Sequence, residues 1–227
     1  MTYQQTADAG KAIPGWPEIA TGLVLYLLLI AVIGVTMLNM ADGQAALRGI
    51  FGMAANGIAG TLALLAAVAI RIRSFRAFGF RAVDRTWLWI AVALGVAAFI
   101  LSVGIEWVYF SFMPAENTQD DFQAAAMAGP LSLVILLVTG ALFTPFGEEV
   151  LFRGVIANAL NRYGPWAGIV GSAAIFAVVH GPSVVFFNAF LVGILTGFLF
   201  RKTNSIWPAL VIHAVFNGLW LLTYAFG

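Results

Sequence analysis

The chain contains no cysteine, which excludes a disulfide, a thiolate nucleophile and any zinc site built on cysteine. Charge is scarce: 9% of the 227 residues are Asp, Glu, Lys or Arg, against about a quarter in a soluble domain. With 62% of the residues hydrophobic, a water-soluble fold of this length could not hide its apolar surface, so the implied solvent is lipid. Histidine occurs only at positions 180 and 213. The net charge of +1 identifies no partner, but the placement of the charges does carry information.

A membrane span needs about 20 apolar residues. Uncharged stretches of that size lie between Glu18 and Asp42, Arg48 and Arg71, Arg85 and Glu106 (running on toward Met113), and Asp121 and Glu148. From Tyr163 to Phe200 there is no charged residue, which is room for two helices broken at Gly181-Pro182. A last stretch runs from Thr203 to Gly227. The expected fold is an all-α, polytopic transmembrane helix bundle of about seven spans, with six or eight also compatible with the count. The first eighteen residues are polar, so the first helix is expected to be a retained anchor and not a cleaved signal peptide.

Lys and Arg set the orientation. Arg71, Arg73, Arg76, Arg81 and Arg85 crowd one connection, which is expected to be cytoplasmic. Alternating the spans places Lys11, Arg153, Arg162, Arg201 and Lys202 on the same side and only Arg48 outside, beside the acidic Glu116, Asp120 and Asp121. The N-terminus is then cytoplasmic, and residues 1–18 form a cytoplasmic segment. Ile72, Phe75, Phe78 and Val83 among the arginines fit either a short helix on the inner surface or an ordinary basic loop.

Two adjacent carboxylates, Glu148 and Glu149, end the fourth apolar stretch. Charges there are costly and call for a reason. Helical neighbours point about 100° apart, so the two cannot serve one purpose. Glu149 and Arg153 stand four apart, the spacing of an ion pair. Glu148 lacks that partner, as a general base would. The bland alternative is an interfacial Glu-Glu-Arg cluster. His180 follows Phe176 by one turn, and Asn217 follows His213 by one turn. A lone helical histidine is more often a packing residue. Here both histidines fall in apolar spans, where such groups usually face each other or a wet cavity. Glu148 and His180 each lie sixteen residues from Gly164, so an antiparallel hairpin brings them level. His213 sits only about 9 Å past Trp207-Pro208. The hairpin must therefore project beyond the inner surface for all three to meet. Glu106, next to Trp107 and Tyr109, reads as an interfacial residue.

Glu148-Glu149-x-x-x-Arg153, Phe176-x-x-x-His180 and His213-x-x-x-Asn217, in that order, resemble the motifs of the CPBP family, the CAAX proteases and bacteriocin-processing enzymes also called the Abi family. The resemblance spans roughly Leu131 to Leu222. It implies an intramembrane peptidase with a catalytic core at 129–227, preceded by membrane helices at 19–128 that include the basic connection 71–86. By the resemblance, Glu148 activates a water with His180. His213 and Asn217 stabilise the oxyanion. Glu149, Arg153 and Phe176 give structural support. No cofactor is firmly implied, although Glu148, His180 and His213 are also candidate ligands for a divalent metal such as zinc. No His-Glu-x-x-His is present. The expected partners are the lipid bilayer and a membrane-associated protein or peptide, with no nucleic acid. The expected location is a bacterial inner membrane, with the site open to the cytoplasm. Two other readings stay open: a self-immunity or scaffolding member of the family, and a proton-coupled transporter.

Overall fold

The computed structural model describes residues 13–114 and 118–227, so Lys11 and Glu116 lie outside the described residues. Every regular element among the described residues is helical. The main helices are α1 (Trp16–Leu38), α2 (Ala45–Ile70), α3 (Arg85–Phe112), a short α4 (Asp120–Met127), a long α5 (Pro130–Tyr163), α6 (Pro165–Val179), α7 (Val184–Thr203) and α8 (Ile206–Phe226). Six of them are long and apolar enough to cross a membrane, and α6 is a further apolar helix of 15 residues. The chain is an all-α integral membrane protein, in keeping with about seven spans.

Local chemistry sets the helix boundaries. Pro17, Pro130 and Pro165 occupy first turns, where a missing N–H costs nothing. Asp84, Ser183 and Ser205 cap α3, α7 and α8 by accepting the N–H of Thr86, Val185 and Trp207. The chain turns between α5 and α6 at Gly164, with φ 116°. It breaks between α6 and α7 at Gly181-Pro182, as the sequence implies.

The helix ends define two faces. On the first, Arg71 pairs with Glu18 (2.9 Å), the Ser205 hydroxyl donates to the Arg81 carbonyl (2.8 Å), and Ile206 N–H donates to the Gly79 carbonyl (3.0 Å). On the second, Arg48 pairs with Asp121 (2.7 Å). Arg153 belongs to neither face. It is fully buried at the centre, which corrects its expected place among the surface cations. The basic connection is largely exposed but anchored at one point. Its 3₁₀ turn Phe75–Phe78 drives Phe78 into the core beside Phe152 and Phe200.

His180 lies sixteen residues from Gly164, about 24 Å along a helix, and His213 eight from Ser205, about 12 Å. Both histidines reach Glu148. The Gly164 turn therefore stands about 12 Å beyond the Ser205 turn, the projection that the sequence demands. The indole of Trp16 donates to the Tyr163 hydroxyl there (2.8 Å).

α2 meets α5 backbone to backbone. A Cβ on Gly60 would overlap the Gly147 carbonyl, and one on Gly147 the Gly57 carbonyl. In lipid, such small-residue contact takes the place of the hydrophobic effect in holding helices together. It also sets Asn56, next to Gly57, against α5. The basic face should be cytoplasmic. An impermeant maleimide added to intact cells is then expected to label Thr118→Cys and to spare Arg76→Cys until the membrane is permeabilised. The opposite pattern would invert the orientation.

Candidate active site

α5 is not a uniform α-helix. Leu137–Phe143 and Val150–Ala157 are π-helical and bracket the α-helical turn Thr144–Glu149. Such insertions change which side of a helix its residues present, and they concentrate at functional sites. Glu148 and Glu149 both turn toward α8 from this turn. His213 Nε2 lies 3.6 Å from Glu148 Oε2, and His213 Nδ1 lies 2.8 Å from Glu149 Oε1.

Glu148 is 2% exposed and is surrounded by polar groups from three other helices. Asn56 Nδ2 of α2 donates to its Oε1 at 2.8 Å. The buried Tyr26 of α1 donates its hydroxyl to Asn56 Oδ1 at 2.8 Å, which fixes the amide with its N–H groups toward Glu148. His180, at the end of α6, places Nε2 3.8 Å from Oε1. At 3.6 and 3.8 Å the two histidines are beyond direct hydrogen bonding, but a single bridging water spans such a gap.

The proton positions on both rings follow from their outer partners. His180 Nδ1 lies 2.7 Å from the Phe176 carbonyl, which only accepts, so Nδ1 carries the hydrogen. The Glu149 carboxylate fixes His213 in the same way. Each ring thus turns Nε2 toward Glu148. Phe176 locks the arrangement sterically: its ring is edge-on to His180 (4.6 Å) and His213 (5.7 Å), with the Arg153 guanidinium over its face at 4.8 Å.

Glu149 and Arg153 form the expected ion pair at 3.1 Å, both essentially without solvent access. Arg153 Nε and Nη2 also donate to the Thr196 hydroxyl of α7. Asn217 lines the same cavity and gives one N–H of Nδ2 to the Gly140 carbonyl in the first π-helical stretch (3.0 Å). The second N–H of that amide is left over. The structure therefore gathers Glu148, Glu149, Arg153, Phe176, His180 and His213 into one contact network and puts Asn217 in the wall of the adjoining cavity.

That cavity holds about 840 Å³. It runs from Glu148 past Met37, Met113, Thr118, Phe122 and Tyr224, toward the face opposite the arginine-rich connection. The expected opening on the arginine side is corrected by this lining: α6 is short, so its junction with α7 stops inside the bundle and leaves space on the far side. Glu106, expected at the interface, stands half-buried in the cavity wall.

As arranged, no group of three or more His, Asp or Glu residues among the described residues meets metal-ligand geometry. Even so, the donor types and the outward bonds of both Nδ1 atoms are those of a histidine-carboxylate ligand set.

Residues 130–219 match the family model described as Type II CAAX prenyl endopeptidase Rce1-like. That segment belongs to the CAAX-protease family. No curated protein and no solved structure matches the chain. The CAAX-protease segment contains every motif residue named above, while Tyr26, Asn56 and Glu106 come from outside it. Sequence reasoning missed Tyr26, Asn56 and Thr196. The one available signal for Asn56 was an amide isolated in an uncharged span.

Arg153→Leu is expected to cost about 3–5 kcal/mol, because it leaves the Glu149 charge buried without its cation. Adding Glu149→Gln should recover much of that loss. Thermal unfolding in detergent reads both.

Proposed function

We propose that the chain is an intramembrane endopeptidase that hydrolyses a peptide bond of a membrane-associated or lipidated protein or peptide with a water activated by Glu148. The carrying observation is the convergence of Glu148, His180 and His213, from three helices, at separations that one water bridges. The family of residues 130–219 supports the same reaction.

In this reading the water donates one hydrogen bond to Glu148 and a second to the His180 Nε2 lone pair. Glu148 takes its proton as hydroxide adds to the scissile carbonyl. The new oxyanion is met by His213 and by the free N–H of Asn217. With Nδ1 held by the Glu149 carboxylate, His213 presents Nε2, which donates to the oxyanion in the imidazolium form. Glu149 thus positions His213 as well as holding α5 through Arg153. On collapse of the intermediate, Glu148 passes its proton to the leaving amine. Asn56, held by Tyr26, orients the Glu148 carboxylate. With the basic face cytoplasmic, the cavity opens toward the non-cytoplasmic side, and the substrate reaches the site from there.

A zinc reading keeps one specific support: both Nε2 atoms face the same carboxylate. In that case Glu148, His180 and His213 would hold the ion, which would supply an acidified water.

Glu148→Gln should lower peptide cleavage at least about 10²-fold with the unfolding midpoint retained. Wild-type activity should survive exhaustive chelation. Loss on chelation with recovery on added zinc would select the metal reading. Unchanged cleavage in Glu148→Gln would refute both. Loss of solute flux with no peptidase activity in the wild type would indicate a carrier.

A further inference from the structure

The cavity has a second polar centre that the proposed chemistry does not use. Asn188 of α7 is 6% exposed and donates Nδ2 to Glu106 Oε1 of α3 at 3.3 Å. Its carbonyl oxygen, Oδ1, is buried and accepts no hydrogen bond. Both residues line the cavity. An unmet buried acceptor of this kind is costly, so it calls for a donor.

No cation among the described residues answers it. Glu18 is met by Arg71, Asp121 by Arg48 and Glu149 by Arg153. No lysine or arginine among the described residues lines the cavity. Glu106 stands apart from those acids: its one hydrogen bond comes from a neutral amide that is itself short of a partner. A carboxylate and an amide oxygen side by side, both accepting, suit an ammonium or guanidinium group. The surrounding wall is apolar, with Phe110, Val185, Val192 and Trp220 suited to the methylene stem of such a side chain.

We infer that Glu106 and Asn188 form a binding subsite for a cationic side chain, lysine or arginine, carried by the substrate alongside the scissile bond. The inference rests on the peptidase reading for its biological meaning, but the subsite itself does not depend on catalysis. Substrates lacking a cation near the cleavage point would leave Asn188 Oδ1 unmet and bind less well.

The absence of native cysteine permits a direct test. Phe110 lies four residues from Glu106 on α3 and lines the cavity. In purified Phe110→Cys protein, the modification rate is compared between 2-aminoethyl and 2-sulfonatoethyl methanethiosulfonate, reagents of opposite charge. Adding Glu106→Gln is expected to lower the cation-to-anion rate ratio about five-fold, from one unit charge at roughly 8 Å in a wet cavity. Hexylammonium should protect the cysteine better than 1-hexanol does, and Glu106→Gln should abolish that difference. An unchanged ratio, or equal protection by the two probes, overturns the subsite. Glu148→Gln in the same background separates the two claims. If it leaves the hexylammonium preference intact while cleavage is lost, the subsite and the peptidase reading both stand. If the preference holds but the wild-type protein itself cleaves no peptide, only the peptidase reading fails.

Discussion

Glu149 and Arg153 are charged side chains with almost no solvent access, inside a bundle whose exterior faces lipid. A charge in that setting must be answered by groups within a few ångströms, because nothing beyond the protein will answer it. Much of the site is arranged around this requirement. The carboxylate divides its two oxygens between the guanidinium and His213, and the guanidinium extends to Thr196 of α7 and lies over Phe176 of α6. Helices α5, α6, α7 and α8 are thereby tied together at one point. Glu148, one residue earlier, is left facing the histidines, with the Asn56 amide donating to its Oε1.

The second requirement is close approach. Glu148 needs a donor from the N-terminal half of the chain, and Asn56 reaches it only because Gly57, Gly60 and Gly147 let α2 and α5 touch. The first half of the chain therefore does more than anchor the CAAX-protease segment. It supplies the amide that orients the proposed base, and with Glu106 it supplies a wall of the cavity.

Much of this could be read from the sequence. Spans, the break at Gly181-Pro182 and the Glu149–Arg153 pair follow from local composition and helical spacing, which act over a few residues. The level placement of Glu148 and His180 follows from equal counts to Gly164. Helix length even requires the projecting turn at Gly164. What could not be read depends on packing between distant segments. Asn56 and Glu148 are 92 residues apart, and Glu106 and Asn188 are 82 apart. No periodicity specifies such pairs. The π-helical stretches leave no compositional mark either, and the bonding of His213 to Glu149 is a consequence of how α5 presents its glutamates. The side on which the cavity opens is not legible in the sequence, because it is set by where the short α6 ends beside α7.

The central claim is that Glu148, His180 and His213 hold a water between them. A high-resolution experimental structure of the protein in lipid tests this most directly. The account predicts solvent density about 2.6–3.2 Å from the Glu148 carboxylate and from His180 Nε2, with His213 and Asn217 facing it across room for a carbonyl. A peak about 2.0–2.2 Å from all three side chains would make the site a metal centre. Side chains that diverge, with no shared density, would contradict the account altogether.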